Sequence, residues 1–265
     1  MSNVPYKNLN LYFTDQGNGD PLVFLHGFLE DSGMWKKVAS SFVKTNRVIC
    51  LDLLGHGKTE NLGYIHSMET QANMLKFLLD KLDIAKCTLI GHSMGGYIAL
   101  AFTDLFPEKV SGLCLMNSTA FADDNEKKRN RDRGIAAVKQ NHRTFIRIAI
   151  PNLFSEENRS IFSKEIIEIT EDALKMSQQG IIASIEGMKV RVDRSHILSQ
   201  KNIPILMIIG KKDPALDYKS LLIQAKNKRI ESVIFEDGHM SHIENEKELI
   251  AALSAWISAQ PSNKQ

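Results

Sequence analysis

A serine hydroxyl performs covalent chemistry at neutral pH only when a base takes its proton and an acid holds that base. Ser93 has the setting such a serine needs. It stands in Gly91-His92-Ser93-Met94-Gly95-Gly96, after the apolar run Cys87-Thr-Leu-Ile90 and before Tyr97-Ile-Ala-Leu-Ala-Phe102. A buried strand followed directly by a helix puts Ser93 on a sharp turn whose backbone is expected to be strained. Glycines at 91 and 95 are needed where strand and helix would otherwise collide, and the helix amino end adds partial positive potential near the hydroxyl. The base and the acid are expected later in the chain, at the ends of later strands. Ile205-Leu-Met-Ile-Ile-Gly210 runs into Lys-Lys-Asp213, and Ser232-Val-Ile-Phe235 runs into Glu-Asp-Gly238-His239. Asp213 is therefore the preferred acid, over Asp217 and Asp237. His239, which follows a glycine and lies nearer its strand, is preferred as base over His242.

These residues need a scaffold, and the hydropathy pattern describes one. Residues 9–14 alternate before a polar turn. Residues 21–25, 47–51, 110–116 and 203–209 are continuous apolar runs, as strands covered on both faces require. Amphipathic helices are expected over 33–43, 67–82, 94–106 and 245–259. Strands alternating with helices imply an α/β fold, a mostly parallel twisted sheet with helices on both faces. The alternation breaks between 120 and 200, where only helix-like stretches occur, at 145–154, 161–169 and 174–188. This segment opens with Asp-Asp-Asn-Glu-Lys-Lys-Arg-Asn-Arg-Asp-Arg, read as a solvated helix face. It is expected to form a helical cap on the carboxyl edge of the sheet.

In this order, the landmarks resemble the α/β-hydrolase fold family across nearly the whole chain. They are His26-Gly27-Phe28, Asp52-Leu-Leu-Gly55-His-Gly57, Gly91 to Gly96, Gly210-Lys-Lys-Asp213 and Gly238-His239. Gly187-Met-Lys-Val-Arg191-Val-Asp193 is similar to the segment that closes such a cap. The resemblance implies an eight-stranded sheet with a short first strand and the cap inserted after the sixth. Residues 1–119 and 201–265 would then form the core and 120–200 the lid. It also implies roles: Ser93 as nucleophile, His239 as base, Asp213 as the residue that orients it. The backbone N–H groups of Phe28 and Met94 would be the oxyanion donors. His26, His56 and Asp52 are read as loop-holding residues, His92 as packing, and Glu244 as a cap on the last helix.

Composition narrows the field. The chain has 265 residues, 43% hydrophobic and 24% charged, with a net charge of +2, which excludes a disordered chain and argues against nucleic acid as partner. Three cysteines, an odd number in apolar runs, suggest buried free thiols and a cytoplasmic setting, and no apolar stretch reaches the roughly 18 residues of a membrane span. No glycine-rich phosphate loop follows a strand and no metal-ligand spacing appears, so neither cofactor nor metal is expected. A serine at the turn, where the family's dehalogenases and epoxide hydrolases carry aspartate, leaves acyl-enzyme chemistry or serine-assisted proton transfer. The first expectation is a cofactor-free, carboxylesterase-like hydrolase cleaving a small or medium ester or thioester. A C–C bond hydrolase, a lyase resembling those of the menaquinone pathway, an acyltransferase and a slow-turnover ligand receptor use the same residues. Arginines of the cap facing the pocket (Arg129, Arg133, Arg143 or Arg147) would favour the C–C or lyase reading.

Overall fold

The computed structural model describes residues 2–199 and 203–260. Eight strands form one sheet: β1 (Ser2–Tyr6), β2 (Leu9–Gln16), β3 (Pro21–Leu25), β4 (Arg47–Leu51), β5 (Cys87–His92), β6 (Val110–Met116), β7 (Ile205–Gly210) and β8 (Ile230–Phe235). Their order across the sheet is β1-β2-β4-β3-β5-β6-β7-β8. The first two strands run antiparallel, β1 to β2 and β2 to β4, while every other pairing is parallel. The short first strand is thus a five-residue edge strand.

Successive strand residues point to opposite faces, and both faces are covered. Val23, Leu25, Ile49, Leu51, Leu89 and Leu115 pack on one side against α2 (Met68–Lys81) and α3 (Met94–Leu105). Leu22, Phe24, Val48, Cys50, Ile90 and Cys114 face the other side, with Trp35, Val38 of α1 (Lys36–Ser40) and Leu249, Leu253 and Trp256 of α10 (Glu246–Ser258). Two-sided burial is what the continuous apolar runs reported. All three cysteines are free and buried, and burial pushes the thiols of Cys50 and Cys87 up to about 12, so they are unreactive.

Between β6 and β7 lie α4 (Asn125–Ala149), α5 (Asn158–Ile161), α6 (Ser163–Ala173) and α7 (Gln178–Lys189). The two ends of this insertion meet: the Arg194 N–H donates to the Ala120 carbonyl at 2.8 Å. The expected boundary at residues 200 and 201 lies outside the described residues. Between β7 and β8 runs α8 (Tyr218–Ala225), and α9 (Ser241–Glu244) follows the loop after β8.

Several expectations are corrected. The helix expected over 33–43 is a 3-10 turn, Ser32–Trp35, followed by the five residues of α1. The stretch 174–188 is not one helix. It breaks at Ser177, whose hydroxyl accepts the Gly180 N–H at 3.0 Å and starts α7. The charged run begins a 25-residue helix, α4, capped by Asp124 and interrupted at Asn141. Nor is that run simply a solvated face, because Asp123 is buried with Arg131 and Arg191 on its carboxylate. The eight-residue helix α8 is an element beyond those expected. Among the described residues, no helix is long and apolar enough to cross a membrane.

Candidate active site

Ser93 begins the turn from β5 into α3 with φ 50°, a left-handed conformation that costs a side-chain-bearing residue energy. Two glycines make the turn sterically feasible. A Cβ at Gly91 would lie 2.5 Å from the Gly95 carbonyl, and one at Gly95 would collide with the Leu25 carbonyl oxygen. The Ser93 N–H donates to the Met116 carbonyl at 2.9 Å, which ties the turn to the end of β6. Among the described residues, the backbone N–H groups of Met94 and Phe28 have no hydrogen-bond partner in the chain.

Asp213 follows β7 and His239 follows β8. His239 Nδ1 donates to Asp213 Oδ2 at 2.7 Å, and both side chains are buried. The second carboxylate oxygen, Oδ1, accepts the N–H groups of Ala215 (2.8 Å) and Leu216 (3.1 Å), which fixes the carboxylate plane. Burial pushes the Asp213 carboxyl up, but the charge and hydrogen bond of His239, with the Ala215 N–H, outweigh it and hold the group below its ordinary value. With Nδ1 occupied, Nε2 is the nitrogen left to the cavity that His239 shares with Ser93. Asp217 instead caps α8 through the Ser220 N–H, and Asp237 accepts from Asn158 and Asn245.

That cavity, about 350 Å³, has Phe28, Ala149, Leu153, Met188 and Leu216 on an apolar wall. Lys127, Asn130, Arg131, Arg191 and Asp123 line it as well. Asp123 accepts from Arg131 Nε (3.1 Å) and forms an ion pair with Arg191, whose Nη2 lies 2.8 Å from Oδ1, and the Arg191 guanidinium lies 4.1 Å from the centre of the Tyr97 ring. Arg129, Arg133, Arg143 and Arg147 do not line it.

Sequence reasoning missed Asn117. It follows β6 with φ 44°, a conformation asparagine tolerates better than most residues. Its amide nitrogen reaches Asp213 Oδ2 (3.2 Å) and the Gly238 carbonyl (3.1 Å), and its oxygen accepts from Ser241 Oγ (2.7 Å). Two expectations are also corrected. Glu244 caps no helix: its carboxylate accepts from the Ser155 N–H and hydroxyl, from Asn158 and from the Met240 N–H, linking the helical insertion to the His239 loop. His92 is no packing residue: it bonds Glu30 and the His239 carbonyl. His26 accepts the Leu53 N–H, and Asp52 those of Ser32 and Lys58, as loop-holding residues should. Glu30, His92 and His242 bring three ligand-type atoms within 4.8 Å of one another, but the His92–Glu30 contact of 2.7 Å is one that a shared proton makes.

A family model described as the alpha/beta hydrolase fold matches residues 20–161, and the chain belongs to this family. It superposes on a thermophilic esterase from Thermogutta terrifontis with a TM-score of 0.91 and 28% identity, covering 97% of this chain and 98% of that one. Over 252 residues it is 28% identical to the dihydrolipoyllysine-residue acetyltransferase component of the acetoin cleaving system of Pseudomonas putida, covering 90% of this chain and 64% of that protein. Over 116 residues it is 40% identical to the 2-hydroxy-6-oxononadienedioate/2-hydroxy-6-oxononatrienedioate hydrolase of Escherichia coli O81 (strain ED1a), 42% of this chain and 40% of that one. The chain thus spans less than two thirds of the length of these curated relatives.

Proposed function

We propose that the chain is a cofactor-free serine hydrolase that cleaves a small or medium carboxylic ester or thioester through an acyl-enzyme. The observation that carries this reading is the 2.7 Å His239–Asp213 bond beside a strained Ser93 on the wall of the same cavity. His239 Nε2 takes the proton as Ser93 Oγ attacks the acyl carbon, and returns it to the departing alcohol or thiol. A water then repeats the sequence on the acyl-enzyme and releases the acid. Asp213 keeps the imidazole in the tautomer with a bare Nε2 and stabilises its protonated form. The Phe28 and Met94 N–H groups receive the negative oxygen, each such donor contributing about 2.7–4 kcal/mol in comparable sites. Residues 120–200 act as the lid that closes the acyl pocket.

Three cations, Lys127, Arg131 and Arg191, line the pocket with one carboxylate, Asp123. That imbalance supports a substrate with an anionic group. It also favours, as a second reading, C–C bond hydrolysis or lyase chemistry on an acidic substrate, and the likeness to the Escherichia coli hydrolase agrees with it.

The test is hydrolysis of p-nitrophenyl esters from acetyl to decanoyl and of the hemisuccinate, comparing the wild type with Ser93→Ala. Steady turnover that disappears in Ser93→Ala supports the esterase, and the chain-length optimum sizes the pocket. No turnover, in protein whose Ser93 is still labelled by a fluorophosphonate, moves C–C, lyase, acyltransferase and receptor readings ahead. An unlabelled Ser93 overturns the assignment.

A further inference from the structure

His92 has two hydrogen-bond partners and both are acceptors. Its Nδ1 lies 2.7 Å from Glu30 Oε2, and its Nε2 lies 2.9 Å from the His239 carbonyl oxygen. A neutral imidazole carries one N–H and cannot serve both. We propose that Glu30 and His92 form a buried carboxylate–imidazolium pair that positions His239, with His92 as the positioning residue. The proposal rests on the reading of His239 as the base.

The pair is placed to set three loops at once. His92 immediately precedes Ser93, and its ring centre lies 4.9 Å from that of His239. Glu30 Oε2 also accepts the Gly27 N–H at 2.7 Å, one residue before the Phe28 donor. The His239 peptide is held from both sides, since its own N–H donates to the Leu153 carbonyl at 3.0 Å. The ionisable groups around the pair come from several elements. His26 lies on the Glu30 loop, and His242 of α9 stands 3.8 Å from Glu30 Oε1. His239 and Asp213 follow β8 and β7. Burial alone would push the Glu30 carboxyl up and strip His92 of its proton. Their mutual charge and hydrogen bond reverse both effects, bringing Glu30 down to about 2 and raising His92. His242 has no acceptor as close and is lowered to about 4, so the cluster holds its positive charge on His92.

Glutamine at position 30 cannot replace the carboxylate. One atom, Oε2, both accepts from Gly27 and binds His92; an amide oxygen there can accept from Gly27 and from a neutral Nδ1–H, but the bare Nε2 then meets the His239 carbonyl, lone pair to lone pair.

Imidazole 15N–1H spectra of the whole chain, with His92 assigned by its loss in His92→Gln, read the protonation state without reference to catalysis. At about pH 8, above the ordinary imidazole value of about 6.5, His92 should keep two N–H groups in the wild type and lose one in Glu30→Gln. A single N–H in the wild type overturns the ion pair. Kinetics then test positioning. Glu30→Gln and His92→Gln should lower kcat by about tenfold or more, a fraction of what a general base supplies, while KM stays within about twofold. Unchanged kcat in a folded His92→Gln overturns the positioning role, and His92→Gln carries this test if Glu30→Gln does not fold. Ser93→Ala separates the two levels: turnover that survives it refutes the hydrolase reading, whereas turnover lost in it but kept in His92→Gln refutes only the positioning role.

Discussion

Asn117 and His239 converge on one oxygen of Asp213: the amide of Asn117 approaches Oδ2 at 3.2 Å and the imidazole of His239 at 2.7 Å. The same amide nitrogen reaches the carbonyl of Gly238, the residue before His239, at 3.1 Å. One side chain at the end of β6 thus spans the loops after β7 and β8. Asn117→Ala would leave the Gly238 carbonyl and the Ser241 hydroxyl without these partners and keep a side-chain-bearing residue at positive φ. The expected loss is about 2–3 kcal/mol of stability, read in denaturant titrations, with a lower kcat for any ester the wild type turns over. A variant as stable as the wild type would show that water replaces the amide without cost.

Arg131 should discriminate between anionic and neutral substrates. Arg131→Gln removes a charge from the cavity wall and leaves Asp123 with Arg191. The ratio of kcat/KM for p-nitrophenyl hemisuccinate over butyrate is expected to fall by about tenfold, the equivalent of about 1.4 kcal/mol. An unchanged ratio would mean that Asp123 already spends both guanidinium groups.

Leu29 is a common wall. It lines the Ser93 cavity and also a second one of about 550 Å³, bounded by Met34, Phe162, Ile169 and Met176, and it holds φ 64° while buried. Leu29→Gly removes the partition and suits the backbone conformation. The p-nitrophenyl ester optimum should shift to longer acyl chains, and an identical chain-length profile would show that the cavities stay separate.

Acid should destabilise the fold in a definite window. Burial holds His66 and His242 at about 4, below the ordinary 6.5. An unfolded chain takes up protons below about 6.5, where the folded one does not, so stability complete above that pH falls as it drops towards about 4. Glu30 and Asp213 are lowered carboxylates, and their contribution is lost only below their unfolded values of 4.5 and 3.8. His92 is raised, so its contribution is complete below 6.5 and is lost as pH rises through its higher folded value. Neutral His66 accepts the Leu62 N–H at 3.3 Å, a bond that glutamine can also accept. His66→Gln should therefore flatten the stability slope between about pH 6.5 and 4.5. A slope equal to the wild type's would assign the acid sensitivity elsewhere.

The sheet was legible because Val23 and Phe24, or Ile49 and Cys50, must both be apolar when a strand is covered on two faces. Ser93 was legible because a glycine–serine–glycine turn between strand and helix has few other uses. Asn117 was not, since a single polar residue after a strand gives no local sign of the residues it will meet 96 and 121 positions away. Glu244 was misread for a related reason: a carboxylate just before a helix suits its amino end, and only tertiary structure brings Ser155 and Asn158 to it. Asp123 and Arg131 read as part of a solvated run because charge alone does not tell which residues before and within α4 are covered.

The hydrogen bond between the Ala120 carbonyl and the Arg194 N–H closes a loop of chain at its neck. The sheet therefore presents the insertion with two adjacent attachment points, much as a socket presents contacts to an interchangeable part. The chain leaving β6 and the chain returning towards β7 are thus set side by side at the neck. An exchange of residues 121–193 at this neck would also carry away the Leu153 carbonyl that takes the His239 N–H and the Ser155 and Asn158 donors that hold Glu244, so a replacement part has to bring its own plug for the His239 loop.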